Sequence, residues 1–352
     1  MKIIFVTSAL HGGGAERVLV TLANWCVRAG DDVILLMVAG EEHVYQLDNA
    51  VKMISIGQPS FGNPLIQIKR LYRMRRFFLA HKDSRIVSFS TTINLFTIIA
   101  SVGLTNRVII SERNDPERCS YKALRNLIYG LGKGFVFQTE MAQKCFPAYI
   151  RKRSIVIPNP IRRQLPHNFD GMREKKIAAV GRLEPQKNHR LLLEAFAGFQ
   201  KSFPAYELHI FGTGKLEQEL KNVVKEKNLD DCVIFEGFKK DVLEIIRSYE
   251  MFVLSSDYEG ISNSLMEAMA LGISCIATDC PAGGSALCIQ HGINGLLVPV
   301  GNVAELQAAM EELASDMELL SRIGKRAVQI RDTFAEECIV STWRDFINGA
   351  VC

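Results

Sequence analysis

Glu259 and Glu267 stand eight residues apart, on either side of a glycine turn that opens a helix. The stretch runs Asp257-Tyr258-Glu259-Gly260-Ile261-Ser262-Asn263-Ser264-Leu265-Met266-Glu267-Ala268-Met269-Ala270. It follows the apolar run Met251-Phe252-Val253-Leu254, which reads as a buried strand. Ser262 or Asn263 can cap the helix, because a short oxygen-bearing side chain accepts from backbone N–H groups there. Leu265, Met266, Met269 and Ala270 give it an apolar side. A helix N-terminus at the carboxyl end of a parallel strand attracts anions. Carboxylates beside it accept hydrogen bonds from hydroxyls, so the layout suits a sugar nucleotide. Two solvated glutamates on a loop and a helix would show the same spacing, and the other charged positions must decide.

Arg182 and Lys187 come next, in Gly181-Arg182-Leu183-Glu184-Pro185-Gln186-Lys187-Asn188. The loop leaves the strand Lys176–Val180, and from it a guanidinium fork and an ammonium point charge can reach one diphosphate. Near the start, the strand 3–9 leads into His11-Gly12-Gly13-Gly14-Ala15-Glu16-Arg17. Glycines between a strand and a helix let backbone N–H groups approach a phosphate. A dinucleotide fingerprint needs a third glycine, and Arg17 holds that place. Glu41 and Glu42 follow the second strand, so NAD binding is a weaker reading that stays open. Ser111-Glu112-Arg113-Asn114-Asp115 places polar residues directly after an apolar strand. The helix Leu65–Lys82 carries Lys69, Arg70, Arg73, Arg75, Arg76 and Lys82 and no acid. At about 100° per residue, Lys69, Arg70, Arg73 and Arg76 share a face that also holds Ile66 and Phe77. Ile68, Leu71, Met74, Phe78 and Leu79 fill most of the other. Such a face suits an anionic membrane surface or a pyrophosphate.

These residues hang on alternating strands and helices. In the first half the strands are 3–9, Asp32–Val38, Val51–Ile56, Arg85–Phe89, Val108–Ser111 and Gly134–Gln138. Helices at Leu65–Ala80, Ile93–Val102, Lys122–Leu131 and Glu140–Phe146 separate the later ones. Alternation of this kind means a parallel, doubly wound sheet, with ligands at the carboxyl strand ends. The break Pro158-Asn159-Pro160 and the polar stretch after it mark a boundary. The pattern then repeats, with strands at Lys176–Val180, Glu207–Phe211, Val233–Phe235, Met251–Leu254 and Ile273–Thr278. We expect an N-terminal domain over 1–160, a C-terminal nucleotide-binding domain over 161–332, and a helical tail over 333–352 that packs back at the joint. A chain of 352 residues suits two domains. Hydrophobic content of 48% with 23% charged residues is a globular balance. No apolar run approaches the ~20 residues that span a bilayer, and the start reads as a strand rather than a signal peptide. Nine cysteines without paired spacing read as reduced, mostly core residues in the cytosol. A net charge of +4 gives no argument for nucleic acid.

Several of these segments also resemble one family. The Glu259–Glu267 stretch is similar to the Glu-x7-Glu motif of retaining glycosyltransferases of family 4, which have the GT-B fold. Gly-Arg-Leu-x-x-x-Lys-Asn at 181–188 resembles their donor-diphosphate loop, and Gly212-Thr213-Gly214 their Gly-x-Gly. Gly237-Phe238-Lys239-Lys240-Asp241 resembles the segment that holds the base, and Ile157-Pro158-Asn159-Pro160 the interdomain linker. Gly13-Gly14-Ala15-Glu16-Arg17 resembles the loop of enzymes that extend bacterial lipid-linked oligosaccharides, where it lies over the donor diphosphate and beside the acceptor. The resemblance implies two Rossmann-like α/β domains with a cleft between them. It implies a hexosyltransferase using a UDP-sugar as substrate and a glycan acceptor, here polyprenyl-diphosphate-linked. Arg182 and Lys187 would neutralise the leaving diphosphate and Glu259 would orient the sugar. Gly13, Gly14, Gly212, Phe238, Ile261, Ser262, Asn263, Ser264 and Glu267 would complete the donor site. Glu16, Arg17, Glu112, Arg113 and Asp115 are acceptor-side candidates. Arg113 stands where relatives often carry a histidine, so that histidine's role does not carry over. No Asp-x-Asp occurs, and we expect no metal and no cofactor. The expected location is the cytoplasmic side of the cell membrane, held peripherally. A GT-B sugar-nucleotide epimerase and a non-catalytic, membrane-associated sugar-nucleotide-binding protein are the alternatives.

Overall fold

The computed structural model describes residues 1–40, 44–57, 63–104 and 108–349. Glu41 and Glu42 therefore lie outside the described residues. The chain divides into two compact units, Met1–Pro160 with Glu336–Cys352, and Ile161–Ala335.

The first unit runs β1 (Lys2–Thr7), α1 (Gly14–Arg28), β2 (Asp32–Met37), β3 (Lys52–Ser55), α2 (Pro64–Ala80), β4 (Arg85–Phe89) and α3 (Thr91–Ser101). It continues through β5 (Val108–Ser111), α4 (Lys122–Tyr129), β6 (Gly134–Phe137), α5 (Glu140–Lys144), α6 (Ala148–Arg151) and β7 (Ser154–Val156). Among the described residues its sheet has seven strands in the order β3-β2-β1-β4-β5-β6-β7, all paired in parallel. The order reverses between β1 and β4, which marks the switch point where such sheets bind ligands. Alternate strand residues, Ile3 and Phe5 among them, face one core that also takes in Val18, Leu22 and Cys26 of α1.

The second unit runs β8 (Glu174–Val180), α7 (His189–Ser202), β9 (Glu207–Phe211), α8 (Glu217–Glu226), β10 (Val233–Gly237), α9 (Val242–Ile246) and β11 (Tyr249–Leu254). Then follow α10 (Asn263–Ala270), β12 (Ser274–Thr278), α11 (Gly284–Cys288), β13 (Leu296–Val298), α12 (Val303–Ser315), α13 (Met317–Ala327) and α14 (Ile330–Thr333). Its six described strands run β10-β9-β8-β11-β12-β13, again parallel, with the switch between β8 and β11. The last helix, α15 (Glu336–Asn348), returns to the first unit. Its Val340, Trp343 and Ile347 are fully buried in the core beneath β1, β4 and β5, and the Trp343 ring stacks on Phe89 at 5.7 Å.

The basic helix departs from its expected division of faces. Arg70, Met74 and Phe78, four residues apart, form the buried stripe of α2. Arg70 is therefore not part of an exposed cationic face. Its Nε donates to Val38 O at 2.8 Å and its Nη1 to Gln67 Oε1 at 2.6 Å, and burial pushes its pKa down. Arg73 and Arg75 also donate to backbone carbonyls, Ile56 O and Ala100 O. Ile68 and Leu79, assigned to the inner face by periodicity, are exposed instead. A guanidinium with satisfied donors can occupy an inner position, and that shifts the buried stripe. Among the described residues no helix is long and apolar enough to cross a membrane. The eight described cysteines are all free thiols, and half of them are buried.

Candidate active site

The switch point of the second sheet gathers the charged residues singled out by the sequence. β8 ends at Val180, so Gly181 and Arg182 leave its carboxyl end. β11 ends at Leu254, and Glu259 lies on the loop that leaves the neighbouring strand. Lys187 and Glu259 meet directly as an ion pair, each nearly buried. Ser256 Oγ adds a contact to the same carboxylate oxygen at 3.4 Å. Arg182 is mostly exposed and pairs with Glu184 at 3.2 Å. Glu267 is buried one turn into α10 and pairs with Arg162.

Backbone and amide contacts fix the two loops to each other. Asp257 N donates to Gln186 O at 2.9 Å, and Gln186 Nε2 donates to Tyr258 O at 3.0 Å. Asn188 has a left-handed backbone, accepts from Leu191 N at 3.1 Å to cap α7, and donates to Asp257 Oδ1 at 2.7 Å. Ser255 Oγ donates to Lys187 O at 3.0 Å. Glycine permits two closer approaches. A Cβ on Gly212 would lie 2.0 Å from Gly181 O, and one on Gly284 would lie 1.6 Å from Gly260 O. The donor-loop candidates Gly181 and Gly212 thus touch through backbone alone. Phe238 follows β10 and is strongly exposed, where a flat ring can stack on a base.

Ser262 takes the N-cap position of α10, but its side chain makes no cap bond. Its Oγ meets Ser264 Oγ at 3.1 Å, and Ser264 Oγ donates to Val180 O at 3.1 Å. Ile261 and Ser262 are buried, while Asn263 and Ser264 are half-buried. The helix therefore starts against the end of β8, next to the Lys187–Glu259 pair, and its dipole favours negative charge at that end. His189, just behind Lys187, is buried, and burial pushes its pKa down to about 4.

The first-unit candidates have different surroundings. Glu16 accepts from the N–H groups of both Gly12 and Gly13, each at 3.0 Å. It thereby occupies amides that the glycine loop was expected to offer to a phosphate. The Gly13 carbonyl accepts from Tyr45 Oη at 2.8 Å and from Arg17 N at 3.1 Å, and Gly14 opens α1. Glu112 is buried and accepts from Tyr129 Oη, from Thr91 Oγ1 at 3.0 Å and from Asn94 Nδ2 at 3.3 Å. Burial raises its pKa against those hydrogen bonds. Asp115 is buried and caps the short turn Pro116–Arg118 by accepting from Glu117 N at 2.9 Å. Arg113 donates to Asn159 Oδ1 at 2.9 Å and lies over the Phe89 and Trp343 rings at 5.1 Å each. Its Nε and Nη2 are buried without a hydrogen-bond partner, and desolvation lowers its pKa to about 9. Glu112 and Asp115 thus serve the first unit's own packing, and neither is an open surface carboxylate.

Residues 162–329 match the glycosyl transferases group 1 family. Over 99% of this chain and 98% of its own length, a Campylobacter jejuni protein is 28% identical. It is an alpha-1,4-N-acetyl-D-galactosaminyltransferase named for GalNAc-alpha-(1->4)-GalNAc-alpha-(1->3)-diNAcBac-PP-undecaprenol. The amylovoran biosynthesis glycosyltransferase AmsD of Erwinia amylovora is 25% identical over 98% of this chain and 99% of its own. The solved structure of Anabaena HepE with UDP and glucose superposes with a TM-score of 0.85 at 20% identity, covering 99% of each chain. The chain is a GT-B glycosyltransferase. In this glycosyltransferase the expected Arg/Lys loop and the two glutamates sit at one switch point. Arg162, the partner of Glu267, went unrecognised in the sequence, where it showed only as the first residue of a polar stretch. Asn188, which ties the two loops together, was visible as the end of the Gly-Arg-Leu-x-x-x-Lys-Asn segment. Among the described residues no group of His, Cys, Asp and Glu is placed to hold a metal.

Proposed function

We propose that the enzyme moves a hexose or N-acetylhexosamine from a UDP-sugar to a polyprenyl-diphosphate-linked glycan, with retention, in family 4 fashion. The observation that carries the donor half is the convergence of Arg182, Lys187, Glu259 and Glu267 at the β8/β11 switch. The Lys187 ammonium passes from Glu259 to the diphosphate as the donor binds, and exposed Arg182 turns from Glu184 to the same group. Both then stabilise charge that grows on the leaving group, so no metal is needed. Released from Lys187, Glu259 accepts from sugar hydroxyls and orients the ring. Glu267, held by Arg162, accepts from ribose hydroxyls. The N-terminus of α10 adds its dipole, and Phe238 stacks on the base. Attack and departure take place on one face of the sugar.

The acceptor half rests on two relatives, both from Campylobacter jejuni, that are named for undecaprenyl-linked glycans. It places the enzyme on the cytoplasmic face of a bacterial membrane, bound peripherally. A UDP-sugar screen against a synthetic polyprenyl-diphosphate saccharide tests both halves. UDP release that depends on acceptor, with an α-linked product from an α-linked donor, is the expected result. Acceptor-independent UDP release with an epimerised sugar would identify an epimerase. Nucleotide binding without turnover of any UDP-sugar would leave only a binding protein.

A further inference from the structure

We infer that the outward faces of α2, α3 and α4 form one docking surface for an anionic lipid bilayer, into which leucines of α4 insert. The inference deepens the lipid-linked acceptor reading and rests on it for its biological setting. The crossovers β3-α2-β4, β4-α3-β5 and β5-α4-β6 all advance in the same direction along the sheet, whereas β1-α1-β2 runs the other way. Right-handed crossovers then put α2, α3 and α4 side by side on one face, with α1 on the other. α3 packs against both α2 and α4. A 17-residue helix is about 25 Å long, and two interhelix spacings add about 20 Å across.

The outside of this layer is apolar and basic. Leu65, Ile68 and Tyr72 of α2 are more than half exposed, as are Leu124, Leu127 and Leu131 on and just past α4. Spacings of three and four residues keep each trio on one stripe. Ile99 and Val102 at the end of α3 are exposed as well. Single exposed apolar residues are ordinary, but rows of them on adjacent helices mark an interaction surface. Charge selects the partner. Pro64–Ala80 contains five basic residues, of which Arg70 is buried, and no acid, and Thr91–Ser101 contains no charged residue. Lys122–Tyr129 also lacks an acid, but its Arg125 is buried and its Lys122 pairs with Glu117, so α4 contributes the apolar part of the surface and α2 the charge. Lys69, Arg73 and Arg76 are exposed beside the α2 row. Long basic side chains around leucines reach lipid headgroups while the leucines enter the acyl region. The expected cationic stripe is thereby replaced by a wider surface, without Arg70 and with α4.

Flotation of the full chain with vesicles, in the absence of donor and acceptor, tests this surface. Vesicles of equal parts phosphatidylcholine and phosphatidylglycerol should carry the protein, and pure phosphatidylcholine should carry at least tenfold less. Leu124→Gln with Leu127→Gln and Leu131→Gln should lower partition to anionic vesicles at least tenfold at low salt and at about 0.5 M salt, where charge is screened. Lys69→Gln with Arg73→Gln and Arg76→Gln should lower it chiefly at low salt. All six positions are outward-facing, and an unchanged melting curve checks each variant. Leu127→Gln alone, at the most exposed of the leucines, serves should the triple variant unfold, with an expected threefold loss. Parent-like flotation of the leucine variants would overturn the inference. So would a full chain that floats with neither vesicle, including one that forms a dimer split by the leucine variants. Turnover on the polyprenyl-diphosphate acceptor in detergent is measured separately, so failure of the acceptor reading leaves the flotation result standing.

Discussion

Lys187→Ala should damage stability and turnover by separate routes. Lys187 and Glu259 are close to buried, at 15% and 11% side-chain exposure. Removing the amine leaves the Glu259 carboxylate with one long hydroxyl contact, from Ser256 at 3.4 Å. Breaking a buried pair from one side costs about 3–5 kcal/mol, and this residual contact places the variant near the lower end. For a unit the size of Ile161–Ala335, about 3 kcal/mol lowers Tm by roughly 6–12 °C. Loss of the charged contact to the leaving diphosphate removes a further ~1.5–3 kcal/mol from the transition state, or about ten- to a hundredfold in turnover. Adding Glu259→Gln removes the orphaned charge. The double variant should recover most of the Tm and none of the turnover. Differential scanning fluorimetry and UDP release, run on the parent and both variants, read the two effects. A Lys187→Ala enzyme with parental Tm and turnover would refute the pairing and the role together. A double variant that regains turnover would refute the role alone.

Arg182→Ala should lower turnover at least tenfold with almost no change in Tm, because its exposed pair with Glu184 is worth about 0–1 kcal/mol; an appreciable Tm loss would contradict that placement. EDTA should leave the rate of UDP release unchanged, and a loss reversed by manganese or magnesium would contradict the cationic diphosphate site. His189 stays neutral down to about 4 in the fold, against 6.5 ordinarily. Between those values the unfolded chain binds more protons, so its contribution is present above pH 6.5 and is lost as pH falls toward 4. Denaturant titration should show about 2 kcal/mol less stability at pH 5 than at pH 7 from this group, and His189→Gln should abolish that part of the slope. Trp343→Ala should cost about 3–5 kcal/mol, measured as unfolding of the first unit, since its ring is fully buried there.

The alternation of strands and helices was legible because parallel strands buried on both faces read as apolar runs, and the helices between them are amphipathic. The Arg182/Lys187 loop and the two glutamates were legible as short segments with chemistry on each. The pairing of those charges was not. Lys187 with Glu259, and Glu267 with Arg162, are contacts between distant positions, which local spacing does not encode. Arg70 shows a second limit. Periodicity sorts side chains by polarity, whereas the fold buries this guanidinium because Val38 O and Gln67 satisfy it. Glu16 shows a third, since a carboxylate one turn into a helix can fold back and take the loop amides itself.

The return of α15 to the first unit has a consequence for synthesis. Residues 161–335 form their own unit and are synthesised before Glu336–Asn348. At about 5–20 residues per second, translation of that intervening stretch takes roughly 10–35 s. Throughout that interval the nascent first unit has its sheet but not Val340, Trp343 and Ile347, so a face of apolar strands stays uncovered. The later-made unit can reach its final packing first, and the earlier one closes last. A stop codon placed just before Glu336 should therefore yield a chaperone-bound, protease-sensitive first unit beside an intact second unit. A permuted gene that begins at Glu336 and runs on through Met1 should shorten the exposed interval.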